Sequence, residues 1–152
     1  MEARMGNPAF VVPGAMQALQ ALGRSVHDAG LPAGLLDLVY TRASQINGCG
    51  VCLEMHARDM KKNGESDERV WTLAGWRDAP YFTDEERAAL ALTEAVTRQA
   101  DHPDAVTDEI WSDAADHFDE KQLGALVLAI ASINVWNRLN ATTRQVAGAW
   151  KP

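Results

Sequence analysis

The sequence predicts an all-α protein, and three observations predict it. Apolar residues recur at spacings of three and four along almost the whole chain, capping sequences open several segments, and no segment keeps the alternation of a strand. From Gly14 to Ala29, Met16, Leu19, Leu22 and Val26 form one helical stripe that stops at Gly30. Leu31-Pro32 opens a second segment carrying Leu35, Leu36, Val39 and Ile46, ended by the turn-forming pair Asn47-Gly48. A third helix is expected from about Cys49 to Asn63, with Lys61 and Lys62 favourable in its last turn and Gly64 as its stop. Ser66 can cap a short helix with Val70, Leu73 and Trp76. Thr83-Asp84-Glu85-Glu86 is a capping box that opens a helix to about Gln99. Thr107 can cap the next, and Asp119 with Gln122 forms a second capping box before a long helix through Leu126, Ile130, Ile133 and Trp136. Pro8, Pro13, Pro80 and Pro103 are all expected in connections, because proline interrupts a helix interior.

At 152 residues the chain fits one domain, 1–152, large enough to bury a core without disulfide or metal staples. Its 14 basic against 21 acidic residues give a formal charge of −7, with no Lys/Arg-rich block. That balance argues against nucleic acid or an anionic membrane as a partner. The longest apolar run, Leu123 to about Ile133, is too short to span a bilayer, and the first residues carry no apolar signal stretch. A cytoplasmic protein is expected.

The 2 cysteines, Cys49 and Cys52, form a single Cys-x-x-Cys pair. They are too few for a disulfide framework or a familiar structural zinc site, and in a reducing compartment such a pair points to redox or catalytic use. On a helix, Cys49, Cys52 and His56 would lie within about 60° of one another around the axis. His56, four residues after Cys52, could take the thiol proton, and the helix N-terminus favours a thiolate. Cys49 is close enough to turn a sulfenic acid on its neighbour into a disulfide. A thiol peroxidase needs this set: an activated thiolate, a second thiol to close the cycle, and a base. The bland alternative is two small buried hydrophobes beside a core histidine. A thioredoxin-like site does not fit, because no strand precedes Cys49.

Three blocks carry a resemblance: Arg42-Ala-Ser-Gln-Ile-Asn-Gly-Cys-Gly-Val-Cys-Leu-Glu-Met-His56, the stretch from Gly75 to Leu90, and the stretch from Leu128 to Leu139. In that order they resemble the alkylhydroperoxidase D-like branch of the carboxymuconolactone decarboxylase family. The resemblance implies a compact all-helical fold assembled as a homo-oligomer (dimer, trimer or hexamer). It implies reduction of a small hydroperoxide, with Cys52 as the peroxidatic thiol, Cys49 as the resolving thiol and His56 in a proton relay. The relay's glutamate, twelve residues before the first cysteine in the family, corresponds to Asp37. A straight helix would leave Asp37 about 18 Å from Cys49. Asp37 can join the site only if the chain folds back at Asn47-Gly48 or if another subunit presents it; otherwise it is a solvated helix charge. Val51 stands where some members carry a further relay histidine. No cofactor is expected, since there is no Gly-rich dinucleotide fingerprint, so an external dithiol must reduce the disulfide.

Two rival functions stay open: a redox sensor or disulfide-exchange protein without efficient turnover, and a cofactor-free lyase using His56 as base. Trp71, Trp76, Trp111, Trp136 and Trp150 read first as core or interface residues. His27-Asp28 could be a second acid/base pair or a histidine favoured at a helix C-terminus. Glu54 is expected on a solvated face, and Ser44-Gln-Ile-Asn47 weakly echoes Ala131-Ser-Ile-Asn134.

Overall fold

The computed structural model describes residues 1–149, and among them every regular element is helical. In chain order these are α1 (Pro8–Val11), α2 (Ala15–His27), α3 (Ala33–Asn47), α4 (Gly50–Lys62), α5 (Asp67–Thr72), a 3-10 turn (Leu73–Gly75), α6 (Asp84–Thr97), α7 (Asp108–His117) and α8 (Glu120–Thr142). Both capping boxes form. Thr83 Oγ1 accepts from Glu86 N while the Glu86 carboxylate accepts from Thr83 N, and Asp119 with Gln122 repeats the exchange at α8. Ser66 and Thr107 cap α5 and α7 in the same way.

Helix α3 is the hub, packed against α4, α6 and α8. It is buried on most sides, with Asp37, Thr41, Arg42 and Ser44 enclosed beside its leucines. Its Leu35, Leu36 and Val39 join Leu92 of α6 and Leu126 and Ile130 of α8 in the largest core cluster. Leu38 meets Met60, Leu73, Trp76 and Phe82 in a second cluster. Further along, Ala43 joins Cys49, Val51, Cys52 and Ile133, so the cysteine pair is part of the packed interior. A buried carboxylate ties the frame: Glu94 of α6 accepts from Arg42 Nε, Trp76 Nε1, Arg77 Nη1 and Arg98 Nη1. Although burial opposes its charge, those donors hold its pKa down at about 2.

The structure revises three expectations. Pro8 does not lie in a connection; it occupies the first turn of α1, where its missing N–H is no loss, and the Asn7 side chain caps that helix by accepting from Ala9 N. Cys49 is the N-cap of α4 and not its first helical residue, with an extended backbone. Glu54 is only half-exposed and pairs with Arg58 one turn on, at 2.6 Å. Of the tryptophans, Trp76 is buried, whereas Trp71 and Trp111 are exposed and carry no core. Trp150 lies outside the described residues. Among the described residues no helix is long and apolar enough to cross a membrane.

Candidate functional site

The site exists because the chain reverses at Gly48. That residue adopts a left-handed conformation, φ 65°, which glycine takes without the steric cost of a Cβ. It ends α3 and returns the chain along it, so that α4 packs on α3 in contact with α8. The chain therefore folds back within one protomer, but the reversal sets Asp37 beside Asn63 at the far end of α4 and not beside the cysteines.

At the turn, the Cys49 side chain accepts from Cys52 N at 3.4 Å, the role usually filled by Ser, Asp or Asn. From α8, Asn140 Nδ2 donates to Cys52 Sγ at 3.3 Å. Below it Asn137 Nδ2 donates to Ser44 Oγ, and Asn47 Nδ2 donates to both Asn134 Oδ1 and Asn137 Oδ1. The echoing segments 44–47 and 131–134 thus meet in space through Asn47 and Asn134. This asparagine seam orients donors toward the sulfurs from the buried side of α8.

The two sulfurs are electrostatically unequal. A hydrogen bond from the Cys52 thiol, followed by its backbone N–H and the seam asparagines, lowers the Cys49 pKa to about 6 despite burial. Donating to that thiolate and being buried raise the Cys52 pKa. The pair therefore favours a first ionisation, shared through the Cys52–Cys49 hydrogen bond, and resists a second.

Cys52 and His56 both line a cavity of about 440 Å³ that is walled mainly by apolar side chains, among them Met16, Val51, Met55, Ile133 and Trp136. The Tyr40 ring lies 5.1 Å from the imidazole, tilted by 39°. His56 is 8 % exposed, and its Nε2 is buried with no hydrogen-bond partner. Desolvation lowers its pKa to about 4, so the ring is neutral at pH 7 and able to accept a proton. His27, in the last turn of α2, also lines the cavity.

Cys52 and His56 thus line one cavity, while Cys49, outside the helix, opens elsewhere. Asp37 is buried on α3, and its carboxylate accepts from Asn63 Nδ2 at 2.6 Å and has no hydrogen bond to His56 among the described residues. Desolvation raises its pKa, with the charges of Asp59 and Glu65 adding. Its charge acts on Tyr40, whose pKa burial and Asp37 push up to about 12. Sequence reasoning missed Tyr40, Asn137 and Asn140. A signal was present: Asn134, Asn137 and Asn140 recur every three residues inside an apolar helix, an expensive pattern unless each is bonded. Among the described residues no cluster of His, Cys, Asp or Glu is placed to hold a metal ion.

The sequence pattern of the carboxymuconolactone decarboxylase family matches residues 13–95, more than half of the chain and the part that carries both cysteines and His56. An uncharacterised protein of Bacillus subtilis (strain 168), YdfG, is 33% identical over 130 residues, covering 86% of this chain and 87% of that protein. The fold superposes with TM-score 0.90 on a protein of unknown function from Agrobacterium tumefaciens, provisionally assigned to AhpD-type antioxidant defence. That protein is 32% identical, and the match covers 98% of this chain and 100% of the other. The debrominase Bmp8 shares the fold at TM-score 0.79 and 20% identity, over 90% of this chain and 73% of its own. The all-helical frame, the Cys-x-x-Cys turn and these matches agree, and the chain belongs to the carboxymuconolactone decarboxylase family as an alkylhydroperoxidase D-like protein.

Proposed function

We propose that this protein is a thiol-dependent peroxidase for organic hydroperoxides. The observation that carries the reading is that Cys52 and a neutral, unpartnered His56 Nε2 share one apolar cavity, with a second, more acidic thiol one turn away. His56 accepts the Cys52 proton as the sulfur attacks the terminal peroxide oxygen, and returns it to the departing alkoxide as the O–O bond breaks. The products are an alcohol and a sulfenic acid on Cys52. Cys49 loses its proton to solvent, and its thiolate attacks the Cys52 sulfur and expels hydroxide, which takes a proton from solvent. The balance is one hydroperoxide and two thiol equivalents to one alcohol, one water and one disulfide. An external dithiol restores the pair. Asp37 enters as a carboxylate held by Asn63 and felt by Tyr40, and not as a direct partner of the imidazole. In the same reading the chain works as a cytoplasmic homo-oligomer, for which exposed Leu128 and Val135 on α8 offer an apolar face.

The test is intact mass of the reduced protein after one equivalent of cumene hydroperoxide, sampled from milliseconds to minutes. Wild type is expected to lose two hydrogens rapidly, Cys52→Ser to remain unchanged, and Cys49→Ser to stop at a single added oxygen. Oxidation of wild type no faster than that of a free thiol overturns the reading. A base-catalysed lyase is the second reading, favoured by the neutral state and free Nε2 of His56. It predicts an activity that survives the double substitution Cys49→Ser/Cys52→Ser and disappears in His56→Gln.

A further inference from the structure

The two sulfurs open to different spaces. Cys52 lines the apolar cavity and Cys49 does not. Cys49 lines a second pocket of about 220 Å³ at the Gly48 turn, closed on the far side by Ala141, Arg144 and Gln145 of the α8 end. Cys52 is absent from this second wall, while Val51 and Asn140 line both spaces and divide them.

The chemistry of the second pocket differs from that of the first. Its one cation is Arg144, an exposed side chain with neither an ion pair nor a side-chain hydrogen bond among the described residues. Arg144 sits where the chain leaves α8, at φ 53°, a left-handed conformation that a residue with a Cβ seldom adopts. That backbone is pinned from several directions. Arg144 N donates to Ala141 O, Gln145 N to Asn140 O, and Gln145 Nε2 to Met5 O. An unpaired guanidinium is thereby held at the mouth of a pocket that contains a sulfur, on a protein whose overall charge of −7 otherwise repels anions.

We propose that this second pocket is the entrance for the reductant, and that Arg144 selects thiols carrying a negatively charged group. The inference rests on the reading that Cys49 and Cys52 form a disulfide. The incoming thiolate attacks the Cys49 sulfur, the Cys49–Cys52 bond breaks, and Cys52 leaves as a thiolate that receives the Asn140 N–H. A second thiolate then attacks the reductant's sulfur in the mixed disulfide and frees Cys49. Two thiols become one disulfide, and the pair regains its two electrons. Oxidant and reductant thus reach the pair from different sides.

The experiment uses full-length protein oxidised with diamide, so that it does not depend on peroxidase activity. Rates of reduction are followed by alkylation and mass, with 2-mercaptoethanesulfonate as the anionic probe and 2-mercaptoethanol as the neutral one. Arg144→Glu is expected to slow the anionic thiol about tenfold, close to 1.4 kcal/mol, while changing the neutral thiol less than twofold. Arg144→Lys should stay within about threefold of wild type for both. Lys121→Glu, the same charge change about 30 Å away along α8, should leave the ratio of the two rates unchanged. Equal slowing of both probes by Arg144→Glu, or an equal effect of Lys121→Glu, overturns the proposal. Failure of diamide to remove two hydrogens overturns it together with the disulfide reading; a disulfide reduced with an unaltered ratio in Arg144→Glu overturns this proposal alone.

Discussion

The two halves of α8 pack against the same neighbour, α3, with opposite chemistry. In the first half, Leu123, Leu126, Ala129 and Ile130 meet Leu35, Leu36 and Val39 in the largest apolar cluster. In the second, Asn134, Asn137 and Asn140 pair with Asn47, Ser44 and the Cys52 sulfur. Apolar contact is non-directional and scales with the area removed from water, so the first half supplies stability and tolerates exchange among residues of similar volume. Hydrogen bonds fix direction and are expensive to break when buried, so the second half supplies register and aims donors at the thiols. One helix thus carries both the support of the site and part of its electrostatics, in separate turns.

The largest effect expected from separating the halves is on stability. Leu126 is fully buried, and Leu126→Ala should cost about 3 kcal/mol of unfolding free energy through lost transfer energy and the cavity left behind. Denaturant unfolding measures that loss. Titration of thiolate absorbance on the folded variant should still give a first ionisation near that of wild type, because Leu126 touches neither sulfur. A shift of the thiol titration in Leu126→Ala would show that the halves are coupled.

A second prediction concerns the histidine beside the seam. His56 ionises near 6.5 when exposed and at about 4 in the fold, because burial opposes its charged form. The unfolded chain therefore binds the proton first. Stability of roughly 3 kcal/mol is fully present above pH 6.5 and is lost as pH falls from there toward 4. Glu94, held down at about 2, acts in a lower window, between its ordinary value of 4.5 and 2. Unfolding free energy measured from pH 7 to pH 4 should fall steeply in wild type and much less in His56→Gln. Equal slopes would mean that the imidazole is solvated in the folded protein.

Much of this arrangement was legible in the residues. Capping boxes at Thr83 and Asp119 marked the starts of α6 and α8, because each sequence satisfies two otherwise orphaned N–H groups. Asn47-Gly48 marked the reversal, and the spacing of Cys52 and His56 placed them on one face. Helix α1 was not legible. It is a single turn whose only local signs are Asn7 and Pro8, and only Ala9 of its residues is buried. The separate openings of Cys49 and Cys52 were hidden for another reason. A residue at the cap obeys the geometry of the turn and not the 3.6-residue period, so counting along a helix aims Cys49 wrongly. The Asp37 bond to Asn63 joins the far ends of two antiparallel helices, a pairing that no local pattern encodes. The seam was legible only in part, since its asparagines gain their meaning from partners on α3 and at the α4 turn.

The smallest effect, and the sharpest test of the polar half, belongs to Asn140. Its Nδ2 donates to Cys52 Sγ, and its Oδ1 accepts from Asn7 Nδ2 at 2.6 Å, so one buried side chain links the thiol pair to the N-terminal segment. Its hydrogen bond favours the charged form of either sulfur. Asn140→Ala should therefore move the first thiol ionisation upward by about one unit, worth about 1.4 kcal/mol, and cost about 1–2 kcal/mol of stability through the unpaired Asn7 amide. Absorbance titration near 240 nm reads the first, and denaturant unfolding the second. The first ionisation should stay below that of Cys52 alone, because Cys52 still donates to Cys49. A stability loss without a titration shift would make Asn140 a strut for the N-terminal segment only; a titration shift as large in Leu126→Ala would erase the division of labour along α8.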